Sequence, residues 1–323
     1  MAMERIVILD AIADRTAARI TELLPPGFAL DYARARGEDV MRALIADADY
    51  AISGQVAVTS AVLGAATRLK LLHKWGVGTD NLDLEAARAL GIKVARTTGS
   101  NSLPVAEFTL GLMIGALRHL AYAHTQLQQG HWRGGRLPGD AYLLSGKTVG
   151  IVGFGAIGRT VARLLAGFGC RILYATPRRL DPAEELTLGV SHAALPELLA
   201  ESDIVSLHCP LTPDTKGMIN RAALSAMKHS ALLVNVARGG VVVEADLVWA
   251  LQTGVIHGAA MDVFETEPPD PANPLLHLDN AIVTPHIAAG TADSFAPTIR
   301  QMFRNILHVS RGEVVPARDL VVG

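Results

Sequence analysis

The sequence predicts an α/β fold in two parts. Short β-rich runs alternate with helix-like segments from the N-terminus, a second series of strands begins near residue 147, and a glycine-rich turn joins the first strand of that series to a helix. Such alternation is the pattern of parallel sheets covered by helices. RIVILD (5–10), ADYAISG (48–54), LKLLHKWG (69–76) and IKVART (92–97) form the first series. The second is KTVGIVGFG (147–155), RILYAT (171–176), DIVSLHCP (203–210), ALLVNVARG (231–239), GAAMDVF (258–264) and AIVTPHI (281–287), the six strands of a full dinucleotide-binding sheet. Between the series an apolar helix from Glu107 passes into the polar stretch HTQLQQGHWRGG (124–135), which carries the chain from one part to the other. After His286 the chain reads as a helix, Asp293 to His308, and a short tail, with no internal repeat or low-complexity tract.

Composition supports two folded parts and narrows the function. A chain of 323 residues exceeds the size at which a single core keeps growing, and 50% hydrophobic against 19% charged residues is the opposite of a disordered composition. Lys and Arg total 29 against 31 Asp and Glu, a net charge of -2, so no basic field exists to collect nucleic-acid phosphates. Cys170 and Cys209 form no disulfide framework or metal pair, and MAMERIVILD lacks a signal core; a cytoplasmic protein without a resident metal is expected. The longest apolar stretch, Val105 to Ala123, is interrupted by Glu107, Arg118 and His119 and reads as a buried helix rather than a membrane span.

Gly153, Gly155 and Gly158 stand in G-F-G-A-I-G between the strand TVGIV and a helix over 156–167. A tight turn, close backbone approach to a pyrophosphate and close helix-on-strand packing each need a residue without Cβ, and the helix N-terminus supplies partial positive charge. With strands before and after in place, the motif predicts a bound dinucleotide. An NAD site carries an acid about 20 residues on, at the end of the second strand. Here that strand ends Tyr174, Ala175, Thr176, Pro177, Arg178, Arg179, with no acid before Asp181. Thr176 with two arginines suits the 2'-phosphate of NADP; the alternative is that Arg178 and Arg179 are a solvated surface pair.

Three residues follow three strands of the second series: Arg238 in VARGG, Glu267 in MDVFETEPP and His286 in VTPHI. Singly, Arg238 could cap a turn, Glu267 could be a solvated loop acid and His286 a core histidine. Ligands of open α/β sheets bind beyond the carboxyl ends of the strands, so together the three predict a catalytic crevice.

GVGTDNLD (76–83), NSLPVAE (101–107), GFGAIG (153–158), LLVNVARGGVVVE (232–244), MDVFETEP (261–268) and TPHI (284–287) together resemble the D-isomer-specific 2-hydroxyacid dehydrogenases over essentially the whole chain. The resemblance implies a Rossmann dinucleotide-binding domain (101–289) inserted into a flavodoxin-like substrate domain (1–100 plus 290–323), and a homodimer paired through the cofactor domain. It implies that Arg238 binds the carboxylate and carbonyl oxygen of a 2-oxo acid, that His286 is the general acid and base, and that Glu267 orients the imidazole. Asp262 is implied as acceptor for the nicotinamide carboxamide, and the backbone N–H groups of Val77 and Gly78 as holders of the substrate carboxylate. Ala156, Ile157, His208, Pro210, Val236 and Ala237 complete the implied cofactor contacts.

Departures shape the expectation. Thr176 replaces the Asp of NAD-using members, no extra regulatory domain is evident, and Glu267 stands where formate dehydrogenases of the superfamily have Gln. Trp75 lies beside the 77–78 turn and lines either the pocket or the core. The expected activity is NADP-preferring reduction of small 2-oxo acids, glyoxylate and hydroxypyruvate first, with NAD possible. The alternatives are an NAD-dependent phosphoglycerate dehydrogenase-like enzyme and a non-catalytic nicotinamide-sensing protein.

Overall fold

The computed structural model describes residues 3–132 and 137–323. The chain divides into two compact units, Met1–Asn101 with Gly290–Gly323, and Ser102–Ala289. The first unit begins β1 (Glu4–Ala11), α1 (Asp14–Thr21), β2 (Phe28–Ala33), α2 (Glu38–Ile45), β3 (Tyr50–Ser53) and α3 (Ser60–Leu63), and continues β4 (Leu71–Lys74), α4 (Leu84–Ala89) and β5 (Lys93–Arg96). The second unit opens with α5 (Ser102–Leu117), α6 (Leu120–Gln128), β6 (Thr148–Val152), α7 (Ala156–Ala166), β7 (Arg171–Ala175), α8 (Pro182–Leu188) and β8 (Val190–His192). It closes with α9 (Leu195–Glu201), β9 (Ile204–Leu207), α10 (Arg221–Ala226), β10 (Leu232–Asn235), α11 (Glu244–Gln252), β11 (Gly258–Met261) and β12 (Ala281–Val283). The chain returns to the first unit with α12 (Ala292–Ser310) and β13 (Leu320–Val322).

The second unit holds a seven-stranded sheet in the order β12-β11-β10-β9-β6-β7-β8, every pairing parallel. A parallel sheet is covered by helices on both faces, so its strands are apolar on both sides. On β10, Leu232 and Val234 enter one core while Leu233 enters the other. The sheet reverses its strand order between β6 and β9, the switch point at which such sheets bind ligands. The edge strand β8 is an addition to the six strands read from the sequence; its residues, VSH, hold a single buried apolar side chain and form no apolar run.

The first unit has its own sheet, β13-β5-β4-β3-β1-β2, parallel except for β13 against β5. α12 packs Ile299, Met302, Phe303 and Ile306 on this sheet's core, the spacing of one helical face. Each such fully buried side chain contributes about 1.5–3 kcal/mol. A buried polar chain fixes the same helix. Asn305 Nδ2 donates to His73 Nε2 (3.0 Å) and to Asp319 Oδ2 (3.3 Å), and Gln301 Nε2 donates to Asp319 Oδ2 (3.1 Å). Burial pushes the His73 pKa down to about 4, so the ring is neutral, with Nδ1–H donating to Lys74 O (2.9 Å). β2 and β13 were not read from the sequence; both are edge strands, and β13 pairs across most of the chain's length.

The stretch Val105 to Ala123, expected as one helix, is two. α5 and α6 meet at a 64° bend, and His119 between them has φ of 51°. A left-handed residue cannot continue a right-handed helix. His119 is buried, with Nε2 donating to Asp140 O (3.1 Å), whereas α6 buries no residue. No single helix among the described residues is long and apolar enough to cross a membrane. Residues 133–136, within and beside the polar stretch expected to carry the chain between its parts, lie outside the described residues.

Candidate active site

Arg238, Glu267 and His286 follow β10, β11 and β12, three neighbouring strands, so all three leave the sheet at its carboxyl edge. The loops that carry them are tied to one another. Asn235, fully buried, donates from Nδ2 to Arg238 O (3.0 Å) and accepts Ala237 N–H (3.0 Å), which shapes the turn behind Arg238. A Cβ on Gly239 would fall 1.9 Å from Phe264 C, so only glycine lets this turn touch the loop leading to Glu267. Arg238 itself donates from Nη1 to Ala237 O (2.7 Å).

His286 has φ of 53°, a conformation that costs a residue other than glycine about 1–3 kcal/mol and persists only where its surroundings over-determine it. The surroundings here are Asp262. Its carboxylate, 1% exposed, accepts Thr284 Oγ1–H (2.6 Å), Ile287 N–H (3.0 Å) and Ala288 N–H (2.9 Å), and its backbone oxygen accepts His286 N–H (2.8 Å). Sequence reading assigned Asp262 only to a carboxamide. Its anchoring of the His286 loop across more than 20 residues left no local signal.

Glu267 and His286 meet directly, Nδ1 to Oε2 at 2.7 Å. A carboxylate only accepts, so Nδ1 carries the proton and Nε2 is the nitrogen left for chemistry. Burial opposes ionisation of Glu267, but the bond from His286, the positive charge of that ring, the Phe264 N–H (3.1 Å) and the charge of Arg238 outweigh it and hold the carboxyl below its ordinary pKa. The pair is an oriented proton donor that can also accept.

The glycine loop shows three different constraints. Gly153 (φ 91°) would place a Cβ 2.5 Å from Cys209 N, and Gly158 would place one 2.5 Å from Gly153 O. A Cβ on Gly155 meets nothing within 4 Å. Two glycines are therefore required by packing, and the third leaves open space at the N-terminus of α7, the kind of position at which helix N–H groups can meet a phosphate. Beside this loop, Ser206 Oγ bonds His208 Nε2 (2.9 Å), while His208 Nδ1 is buried with no partner among the described residues. Burial pushes that ring's pKa down to about 3, so it is neutral. An open phosphate cradle and an orphaned ring nitrogen both fit a dinucleotide. The neighbouring Pro210 is exposed, and Val236 and Ala237 are buried.

At the end of β7 the structure separates the two arginines. Arg179 forks onto Glu185, 2.9 Å and 2.8 Å, and Glu185 also accepts the hydroxyl of fully buried Tyr174 (2.6 Å). These bonds hold the Glu185 pKa down to about 2. Tyr174 Oη accepts Leu180 N–H (2.9 Å), so residues 179 and 180 are tied down. Thr176 is half-buried, and Arg178 is exposed with no partner among the described residues.

In the first unit, Val77 and Gly78 lie half-buried in the turn after β4. Gly76 N–H is taken by Thr97 Oγ1 (3.0 Å), whereas the Val77 and Gly78 N–H groups have no partner among the described residues. Trp75 packs edge-on against Phe295 (6.2 Å between centroids). Among the described residues, no group of three His, Cys, Asp or Glu is placed to hold a metal ion.

Residues 110–288 match the family model for the NAD binding domain of D-isomer specific 2-hydroxyacid dehydrogenases. The chain is 41% identical over 240 residues to a hydroxypyruvate reductase of Thermotoga maritima, covering 73% of this chain and 76% of the relative. It is 35% identical over 305 residues to a D-3-phosphoglycerate dehydrogenase of Archaeoglobus fulgidus, covering 91% of this chain but only 57% of that relative. Among solved structures it is similar to an NADPH-dependent glyoxylate/hydroxypyruvate reductase of Sinorhizobium meliloti in complex with NADP and malonate, with a TM-score of 0.86, 31% identity and coverage of 99% and 97% of the two chains.

Proposed function

The chain belongs to the D-isomer specific 2-hydroxyacid dehydrogenase family, an oxidoreductase family using NAD(P), and from that premise we propose that it reduces small 2-oxo acids with NADPH, glyoxylate and hydroxypyruvate first. The observation that carries this reading is the Glu267–His286 pair, 2.7 Å apart and held on a strained loop, in the unit that also holds the open glycine cradle. When bound, the nicotinamide supplies a hydride equivalent to the substrate's C2. His286 Nε2 delivers the proton to the carbonyl oxygen and takes it back in the reverse direction, while Glu267 steadies the imidazolium. Arg238 engages the carboxylate and carbonyl oxygen with a planar fork. In the first unit, the Val77 and Gly78 N–H groups are donors for a carboxylate.

The N-terminus of α7 would hold the cofactor's pyrophosphate, and Asp262 and His208 are further residues that would receive the cofactor. Arg178 with Thr176 reads the 2'-phosphate; Arg179 braces the loop that presents them, and NAD binds more weakly. The protein works in the cytoplasm as a homodimer paired through the second unit. Support for pairing comes from Leu120 and Leu127, large apolar side chains left exposed seven residues apart on α6, since exposed apolar surface marks interaction sites. Light scattering tests this, with a monomer as the contradicting result. The function is tested by NADPH oxidation with a panel of 2-oxo acids: turnover on glyoxylate or hydroxypyruvate supports it, and inactivity on all of them with NADPH shown to bind overturns it.

A further inference from the structure

We propose that Lys74 is a positioning residue for the substrate carboxylate: its buried ammonium locks the loop after β3 to the turn after β4, and this lock fixes the Val77 and Gly78 N–H groups. The inference rests on the reading of those N–H groups as carboxylate donors. Lys74 ends β4 and is 5% exposed, a degree of burial lysine almost never reaches without a specific partner set. Its Nζ donates to Gly54 O and to Asn81 Oδ1, the latter at 2.7 Å. Asn81 Nδ2 donates in turn to Val56 O (2.7 Å). From the opposite side the Asp10 carboxylate accepts the N–H groups of Gly54, Gln55 (2.7 Å) and Val56 (3.1 Å). The 54–56 loop is thus held between a cation and an anion by charge-assisted bonds, the stronger kind.

The same lysine underlies the neighbouring turn. Its stem passes beneath Gly76, where a built Cβ would lie 3.8 Å from Lys74 Cε, and Gly76 takes a φ of 136° that favours glycine. Thr97 fixes Gly76 from the other side by accepting its N–H (3.0 Å) and donating its own N–H to Gly76 O (3.0 Å). With Gly76 held above the lysine stem, the next two N–H groups emerge in one orientation. Loss of the ammonium leaves Gly54 O and Asn81 Oδ1 without this donor, and both loops gain freedom.

Lys74→Met keeps the stem and removes the ammonium; Asn81→Ala removes the second member of the lock. Both are compared with the unmodified protein for kcat and KM on glyoxylate with saturating NADPH, for NADPH Kd by fluorescence, and for Kd of oxalate by calorimetry. Lys74→Met is expected to raise KM and the oxalate Kd at least about tenfold, the scale of hydrogen bonds to a charged group, with kcat within about threefold and NADPH Kd unchanged. Asn81→Ala follows in the same direction and carries the test if Lys74→Met does not fold. Unchanged KM and oxalate Kd in the folded variants overturn the proposal, as does a parallel loss of kcat, NADPH affinity and stability, which is what a purely structural lysine gives. If the unmodified protein reduces no 2-oxo acid, the functional reading fails, and oxalate binding still decides the role of Lys74.

Discussion

Two loops leave the carboxyl edge of the same sheet and are shaped by opposite means. The glycine loop after β6 is defined by what is missing: Cβ atoms on Gly153 or Gly158 would strike backbone at 2.5 Å. The 284–288 loop after β12 is defined by what is present, a buried Asp262 carboxylate accepting three hydrogen bonds from it. The difference follows from the tasks. A phosphate cradle must bring bare backbone close to its ligand, whereas a proton donor must hold one side chain in one orientation, even at a φ of 53°. The first loop is broken by adding a methyl group and the second by removing a polar atom.

The largest effect is expected in the second loop. His286→Ala removes the proton donor and should lower kcat by roughly 10² to 10⁴ with NADPH binding nearly intact. Asp262→Asn keeps the imidazole but turns an amide group toward N–H donors, so kcat should fall about 10- to 100-fold, with loss of loop protection in hydrogen exchange. If Asp262 serves only a carboxamide, NADPH Kd rises instead and the loop stays protected.

In the first loop two glycines separate shape from binding. Gly153→Ala meets both a positive φ and a backbone clash and should cost about 2–5 kcal/mol in stability, read as a lower Tm. Gly155→Ala, with nothing within 4 Å of the new methyl, should keep its Tm and lose at least about tenfold in NADPH affinity. Equal Tm values for the two variants would mean that packing does not set this loop.

A smaller effect separates the arginines. Arg178→Ala should reduce the NADPH preference over NADH in kcat/KM about tenfold or more, the scale of bonds to a charged group, and Thr176→Asp should reverse it. Arg179→Ala loosens the Glu185 and Tyr174 clamp, so stability falls and the preference changes less. The reverse ranking would make Arg179 the phosphate reader.

The smallest is pH-dependent. The Glu267 carboxyl is held below its ordinary pKa in the folded protein, so its ionised form contributes stability above the ordinary carboxylate range, which is lost as pH falls through the lowered value. The Tm of Glu267→Gln should therefore lie below that of the unmodified protein at neutral pH, and the gap should close in acid. A gap independent of pH contradicts the assignment.

What was legible in the sequence tracks the range of each constraint. The six other strands of the second sheet and the glycine loop were readable because apolar runs and G-F-G-A-I-G spacing are local. Arg238, Glu267 and His286 were readable as strand-end residues, and the pairing of the last two only through the family resemblance, since the 2.7 Å contact joins residues 19 apart. The bend at His119 was not: the buried ring's hydrogen-bond partner, Asp140 O, lies 21 residues away and leaves no local signal. Arg179 looked like the twin of Arg178 until Tyr174 and Glu185 were brought beneath it. Lys74, joined to Gly54 and Asn81, was invisible for the same reason.

The central claim is hydride transfer to C2 of a 2-oxo acid on a D-specific site, and isotope tracing tests it most directly. Hydroxypyruvate is reduced with NADPH carrying deuterium at the transferable C4 position, and the product is analysed by mass spectrometry and chiral chromatography. The account predicts D-glycerate with one deuterium at C2. Unlabelled glycerate, or the L isomer, would contradict it.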